Sequence, residues 1–162
     1  MPTYTNTIPD PAHGPALPIR RAPAAGQLVA IITSPDLVGT NTHYYKGRTM
    51  PCEAPECEPC RNGVPYRWHS YVSAWETKTA LHFIFECTAA GSEPFIEYRE
   101  HHGTLRGCIF QARRWQQRPN GRILLQTKPA DLNEMRLTKP PDLVKCLATL
   151  WSLPENNFGA PT

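Results

Sequence analysis

Charge is scarce in this chain. Only 19% of its 162 residues are Asp, Glu, Lys or Arg, against about 25% in an average soluble domain. No run approaches 18 apolar residues, so no segment reads as a membrane-spanning helix. The opening MPTYTNTIPDPAHGP lacks the basic-then-apolar pattern of a secretory signal. The expectation is a cytoplasmic protein with no membrane partner. Catalytic signatures are missing too: H-E-x-x-H, the phosphate-cradling G-x-x-x-x-G-K, the G-x-S-x-G elbow and the H-x-E of nucleobase deaminases do not occur. No catalytic residue is assigned, and a non-enzymatic protein is expected. There is no internal repeat.

Proline, by contrast, is abundant. Its 18 copies are about twice the usual share and exclude a helical bundle or coiled coil as the main architecture. Six of them (Pro2, Pro9, Pro11, Pro15, Pro18, Pro23) fall in residues 1–24, which have almost no periodic apolar pattern. Such a segment reads as a flexible arm unless a partner orders it, for instance a second copy or another protein that it wraps. Residues 155–162 read as a second loose end.

Between these ends the hydrophobic period changes along the chain. Gln27–Thr33 is a short β-branched run, a buried strand. A long polar loop is expected over Ser34–Pro65. Tyr66–Trp75 and Ala80–Cys87 read as strands joined by a turn at Glu76–Thr79. Ser92, Pro94 and Gly103 bracket a short helix. Leu105–Trp115 and Arg122–Lys128 return to strand period, with Asn120-Gly121 as the hairpin signal. Pro140-Pro141-Asp142 opens a helix carrying Leu143, Leu147 and Leu150, closed near Pro154. The expected fold is mainly β: a barrel over residues 25–130 with a C-terminal helix, 131–154, packed on it. Five strands with a helix between the third and fourth resemble the five-stranded OB-fold barrel. An SH3-like barrel or an open α+β sheet shares much of this order.

Six cysteines without an export signal read as thiols or metal ligands rather than disulfides. Cys87, Cys108 and Cys146 stand alone in apolar surroundings and are expected to be buried. Cys52, Cys57 and Cys60 cluster in a proline-stiffened loop, 41–63. A Cys-x2-Cys pair brings two thiolates to one ion from a single knuckle, and three thiolates with one imidazole form a closed structural zinc set. The fourth ligand is His43, separated from Cys52 by eight residues in the loop itself, or His69, separated from Cys60 by eight residues on the other side.

The net charge of +3 hides an uneven distribution. Residues 1–98 carry a balance of −2, and residues 99–139 a balance of +6, with seven arginines among nine basic side chains. Arg113, Arg114, Arg118 and Arg122 bracket Asn120-Gly121. In an OB-fold this hairpin and the metal loop flank the oligonucleotide face. Guanidiniums suit phosphates, and exposed rings suit single-stranded bases. The expected contact set is Arg67, Tyr71, Trp75, Arg106, Arg113, Arg114, Trp115, Arg118 and Arg122, on single-stranded DNA or RNA. Two other readings compete. Glu53, Glu56 and Glu58 in the metal loop favour a protein-assembly subunit, and Glu100-His101-His102 offers half of a nuclease site. The string HYYKGRTMPC, followed by Cys57, Cys60, RWHSY, LRG and NGR, resembles small proteins of bacterial mobile elements. That resemblance implies a cargo or accessory role with nucleic acid.

Overall fold

Alternating apolar residues build most of this molecule. The computed structural model describes residues 17–131 and 137–151. Eight strands form one sheet: β1 (Ile19–Arg20), β2 (Leu28–Ile32), β3 (Val38–Tyr45), β4 (Arg48–Pro51), β5 (Arg67–Glu76), β6 (Leu81–Thr88), β7 (Cys108–Arg114) and β8 (Ile123–Pro129). Three helices accompany it: α1 (Glu58–Arg61), α2 (Glu93–His102) and α3 (Leu143–Trp151). The strand order is β1-β6-β5-β2-β7-β8, with β3 also on β5 and β4 outside β3. No described helix is long and apolar enough to cross a membrane.

The ten-residue β5 organises the sheet. One edge pairs antiparallel with β6 from His69↔Thr88 to Glu76↔Leu81. The other edge is divided between β2 (Ile32↔Ala74) and β3 (Val38↔Tyr71 to Thr42↔Arg67). Residues 33–37 kink between β2 and β3, and the kink is held where Thr33 N–H donates to the Ser73 carbonyl at 2.9 Å and Ser73 N–H to Ser34 Oγ at 3.1 Å.

The expected five-stranded closed barrel is not formed. There are eight strands and the sheet stays open, with β6 and β8 unpaired with each other. The outer edge of β6 is instead taken by parallel β1 (Ile19↔Ile84), and a 3-10 turn at Ala90–Ser92 touches both β6 and β8. Gly91 permits that approach, because a Cβ there would meet Cys87 Sγ at 2.9 Å and Ile123 Cβ at 3.1 Å.

Both faces of β5 and β6 are covered. Val72, Ala74, Phe83, Phe85 and Cys87 face the main core with Phe95 of α2 and Phe110 of β7. The Phe85 and Phe110 rings lie 4.7 Å apart, and Phe95 meets Phe110 edge-on at 5.4 Å. Each such ring contributes roughly 1.5–3 kcal/mol on burial. On the opposite face, Tyr71 and Ile84 pack under Leu143, Leu147 and Trp151 of α3.

Three local expectations change. The polar stretch 34–65 is not one loop but contains β3, β4 and α1. Its two-residue turn, Lys46-Gly47, has φ of 50° and 80°, the primed-hairpin geometry. Asn120-Gly121 is not a two-residue hairpin turn; it ends an Arg118–Gly121 turn inside a longer connection closed by Trp115 N–H to the Arg122 carbonyl at 2.8 Å. Proline at the second position and glycine at the fourth favour this unprimed turn. The segment expected to be a loose arm is pinned from residue 17 onward: β1 joins the sheet and Ala22 is buried. The arm's first 16 residues, the helix end near Pro154 and the tail 155–162 lie outside the described residues.

Candidate metal centre and nucleic-acid interface

The β3–β4 hairpin carries its own cluster. Strand β3 places His43, the chain leaving β4 places Cys52, and one tight turn places Cys57 and Cys60. Cys57 is the N-cap of α1 with extended backbone, and Pro59 is buried inside the turn. Arg61 N–H donates to the Cys57 carbonyl at 3.0 Å and Val64 N–H to the Pro59 carbonyl at 2.9 Å. Tyr45 OH donates to Glu58 Oε1 at 3.2 Å and accepts from Asn62 Nδ2 at 3.0 Å, tying hairpin to knuckle.

The four ligand atoms all lie within 4.8 Å of one another. His43 Nε2 is 3.4 Å from both Cys57 Sγ and Cys60 Sγ, and Cys52 Sγ is 3.5 Å from Cys60 Sγ. A tetrahedron with ordinary zinc–thiolate bonds has edges of about 3.8 Å, so a zinc ion fits with small adjustments. The imidazole is also set for it. His43 Nδ1–H donates to the Pro65 carbonyl at 3.1 Å, which leaves the Nε2 lone pair aimed at the thiols. Burial opposes ionisation of Cys57, but hydrogen bonds from the Cys60 and Glu53 backbone outweigh it and hold the thiol down to about 7. Cys60 is pushed up to about 12, first by its hydrogen bond with Cys52, because neighbouring thiols do not all ionise without a cation. These residues are a possible metal-binding cluster of zinc type.

His69 lies elsewhere. Its Nδ1 donates to Thr42 Oγ1 at 2.7 Å while that hydroxyl donates to the Arg67 carbonyl, and burial lowers its pKa. The choice of fourth ligand therefore falls on His43. The Glu100-His101-His102 run forms no metal-type cluster among the described residues. There, His101 Nδ1 donates to the Glu97 carbonyl and His102 stacks on Tyr98 at 4.0 Å. Cys87 and Cys108 are buried, and burial raises their thiols to about 11 and about 12. Cys146 is half-buried, not enclosed as expected.

The expected nucleic-acid residues divide into exposed and engaged groups. Arg113, Arg118, Arg122 and Arg67 are exposed, as is Trp115 at 53%. Trp75 is half-buried and stacks on His82 at 6.3 Å. Tyr71 is 0% exposed beneath α3, so no base reaches its ring. Its hydroxyl donates to Glu86 Oε2 at 2.8 Å; burial raises its pKa, and so does Glu86. Two arginines are spent on backbone carbonyls. Arg106 donates to Thr33, Leu137 and Thr138, at 2.7, 3.2 and 2.8 Å. Arg114 donates to Ala22 and Gly121, at 2.8 and 3.0 Å. Both clamp separate segments together.

Sequence reasoning missed the ion pair between the exposed Arg21 and the buried carboxylate of Glu86, at 2.7 Å on the α3-covered face. Its one signal was a carboxylate inside the apolar run LHFIFEC. No protein-family model matches this chain, and neither a curated protein nor a solved structure does.

Proposed function

We propose that this is a non-enzymatic binding protein for single-stranded nucleic acid, held in shape by a structural zinc ion. The carrying observation is the end of the β7–β8 hairpin. Arg113, Arg118, Arg122 and Trp115 are exposed there together, while Arg114 beneath them anchors the turn. Three guanidiniums with no ion pair among the described residues, together with an exposed indole, supply phosphate neutralisation and base stacking. Arg67 and the half-buried Trp75 extend the same surface chemistry along β5. The pairing of β2 with both β5 and β7, of β5 with β6 and of β7 with β8, with α2 between β6 and β7, supports an OB-like ancestry in an unclosed form. Four protein donors leave a bound zinc no open position for water, which supports a structural ion. An accessory role in a mobile element belongs to the same proposal and rests on the motif resemblance.

The test is fluorescence anisotropy of labelled oligothymidylate and oligouridylate over a salt series. The triple variant R113E/R118E/R122E is expected to weaken binding and flatten the log–log salt slope by about 2, near 0.7 per lost phosphate contact. Absence of binding to both oligomers at low salt, or a slope unchanged in the variant, rejects the proposal.

A further inference from the structure

A cavity of about 520 Å³ opens between β1, β4 and the end of α3, away from the β7–β8 hairpin. Its polar side is Arg21, Arg48, Thr49 and Glu86; its apolar side is Ile19, Leu150 and Trp151. Glu86 is only 4% exposed, and both of its oxygens already accept hydrogen bonds. Arg21 Nε reaches Oε1 at 2.7 Å and Tyr71 OH reaches Oε2 at 2.8 Å. A buried carboxylate so satisfied does not repel an incoming anion as a free one does; it fixes a guanidinium. Arg21 Nη2 is fixed as well, donating to Thr49 Oγ1 at 2.7 Å. The Nη1 edge of the fork makes no hydrogen bond among the described residues. Thr49, having accepted from Arg21, keeps its own hydroxyl proton to donate. Arg48 is exposed on the same rim and has no ion pair among the described residues.

We propose that this cavity binds a phosphate group, with Arg21, Arg48 and the Thr49 hydroxyl as its donors. The lining carries two guanidiniums against one carboxylate, an excess of one positive charge. Donors from three side chains suit a tetrahedral oxyanion better than a planar carboxylate, which one fork saturates. The apolar wall accommodates the rest of the ligand. The phosphate is that of a free nucleotide or of a phosphodiester within a strand. The proposal does not rest on the hairpin reading, since none of its residues lies there.

The experiment titrates the zinc-loaded 162-residue chain with inorganic phosphate, thymidine monophosphate and oligothymidylate. Amide and arginine Nε–H resonances of Arg21, Arg48 and Thr49 are followed by NMR. Saturable shifts there with phosphate and the mononucleotide are expected if the source is a free nucleotide. Saturable shifts with oligothymidylate alone identify a strand phosphodiester and equally support the site. Arg48→Ala is expected to weaken binding about tenfold, the size of one charge-assisted hydrogen bond, without moving the thermal midpoint. Arg21→Ala strands the Glu86 carboxylate, so Thr49→Ala serves as the second variant and is expected to weaken binding severalfold. Shifts confined to Arg113, Arg118 and Arg122, no saturable shift with any probe, or affinity unchanged in both variants overturns the proposal.

Discussion

Removing the metal is expected to release the knuckle while leaving the two cores folded. Between Cys52 and Pro65 no residue belongs to either hydrophobic cluster. The segment's order rests on α1, which is four residues long, on a few turn hydrogen bonds, and on the hydrogen bonds that Tyr45 makes with Glu58 and Asn62. Isolated helices shorter than about 12 residues are marginal in water, so α1 has no stability of its own. With free zinc at a thousand times its dissociation constant, binding stabilises the closed knuckle by about 4.1 kcal/mol, a protection of about a thousandfold. Hydrogen exchange read by NMR or mass spectrometry reports this directly. The amides of Arg61, Asn62 and Val64, bonded to the carbonyls of Cys57, Glu58 and Pro59, are expected to lose that protection on chelation. Those of β5, β6 and β7 are expected to keep theirs. His43→Ala is expected to behave like the chelated protein, and His69→Ala like the loaded one. Unchanged protection at residues 61–64 after chelation refutes the argument, and so does a uniform loss across the whole sheet.

Two further outcomes are expected. Iodoacetamide at pH 8, counted by mass spectrometry, is expected to modify Cys52, Cys57 and Cys60 only after chelation releases the knuckle; Cys87 and Cys108 stay unmodified in both states, because the folded sheet keeps both thiols buried away from the reagent. Tyr71→Phe leaves Glu86 Oε2 without its donor and is expected to cost about 1–3 kcal/mol, read as a lowered thermal midpoint.

The parts legible in the sequence were those where periodicity and packing agree. Strands β2, β5, β6, β7 and β8 follow from apolar spacing, helix α2 from its Ser92, Pro94 and Gly103 boundary signals, and the start of α3 from Pro140-Pro141-Asp142. The Cys-x2-Cys knuckle was legible too, since ligand spacing is a local property. Strands β3 and β4 were hidden because VGTNTHYY and RTMP bury few side chains in an apolar core; they are held instead by pairing with each other and by the edge of β5. The open gap was equally illegible, because it depends on the two residues of β1 capturing the edge of β6. Side-chain roles failed where backbone acceptors competed. Arg106 and Arg114 have the same local sequence character as Arg113, and only the tertiary position of a carbonyl separates a clamp from a free guanidinium. Tyr71 has outward parity on β5, but α3 arrives from 70 residues away to cover it.

Residues 17–24 have the composition of a leader that can be trimmed without consequence. Their eight residues supply β1 to the sheet edge, the Ala22 carbonyl to Arg114 beneath the hairpin, and the Arg21 guanidinium to Glu86. Loss of these residues after a proteolytic cut near Gly26 would therefore affect two surfaces at once: the hairpin turn would lose an anchor, and the cavity beside α3 would lose the Arg21 guanidinium. A short stretch of proline-bordered chain thus behaves as a shared fastener, and any shortening of the amino terminus that is meant to be silent has to stop before Leu17.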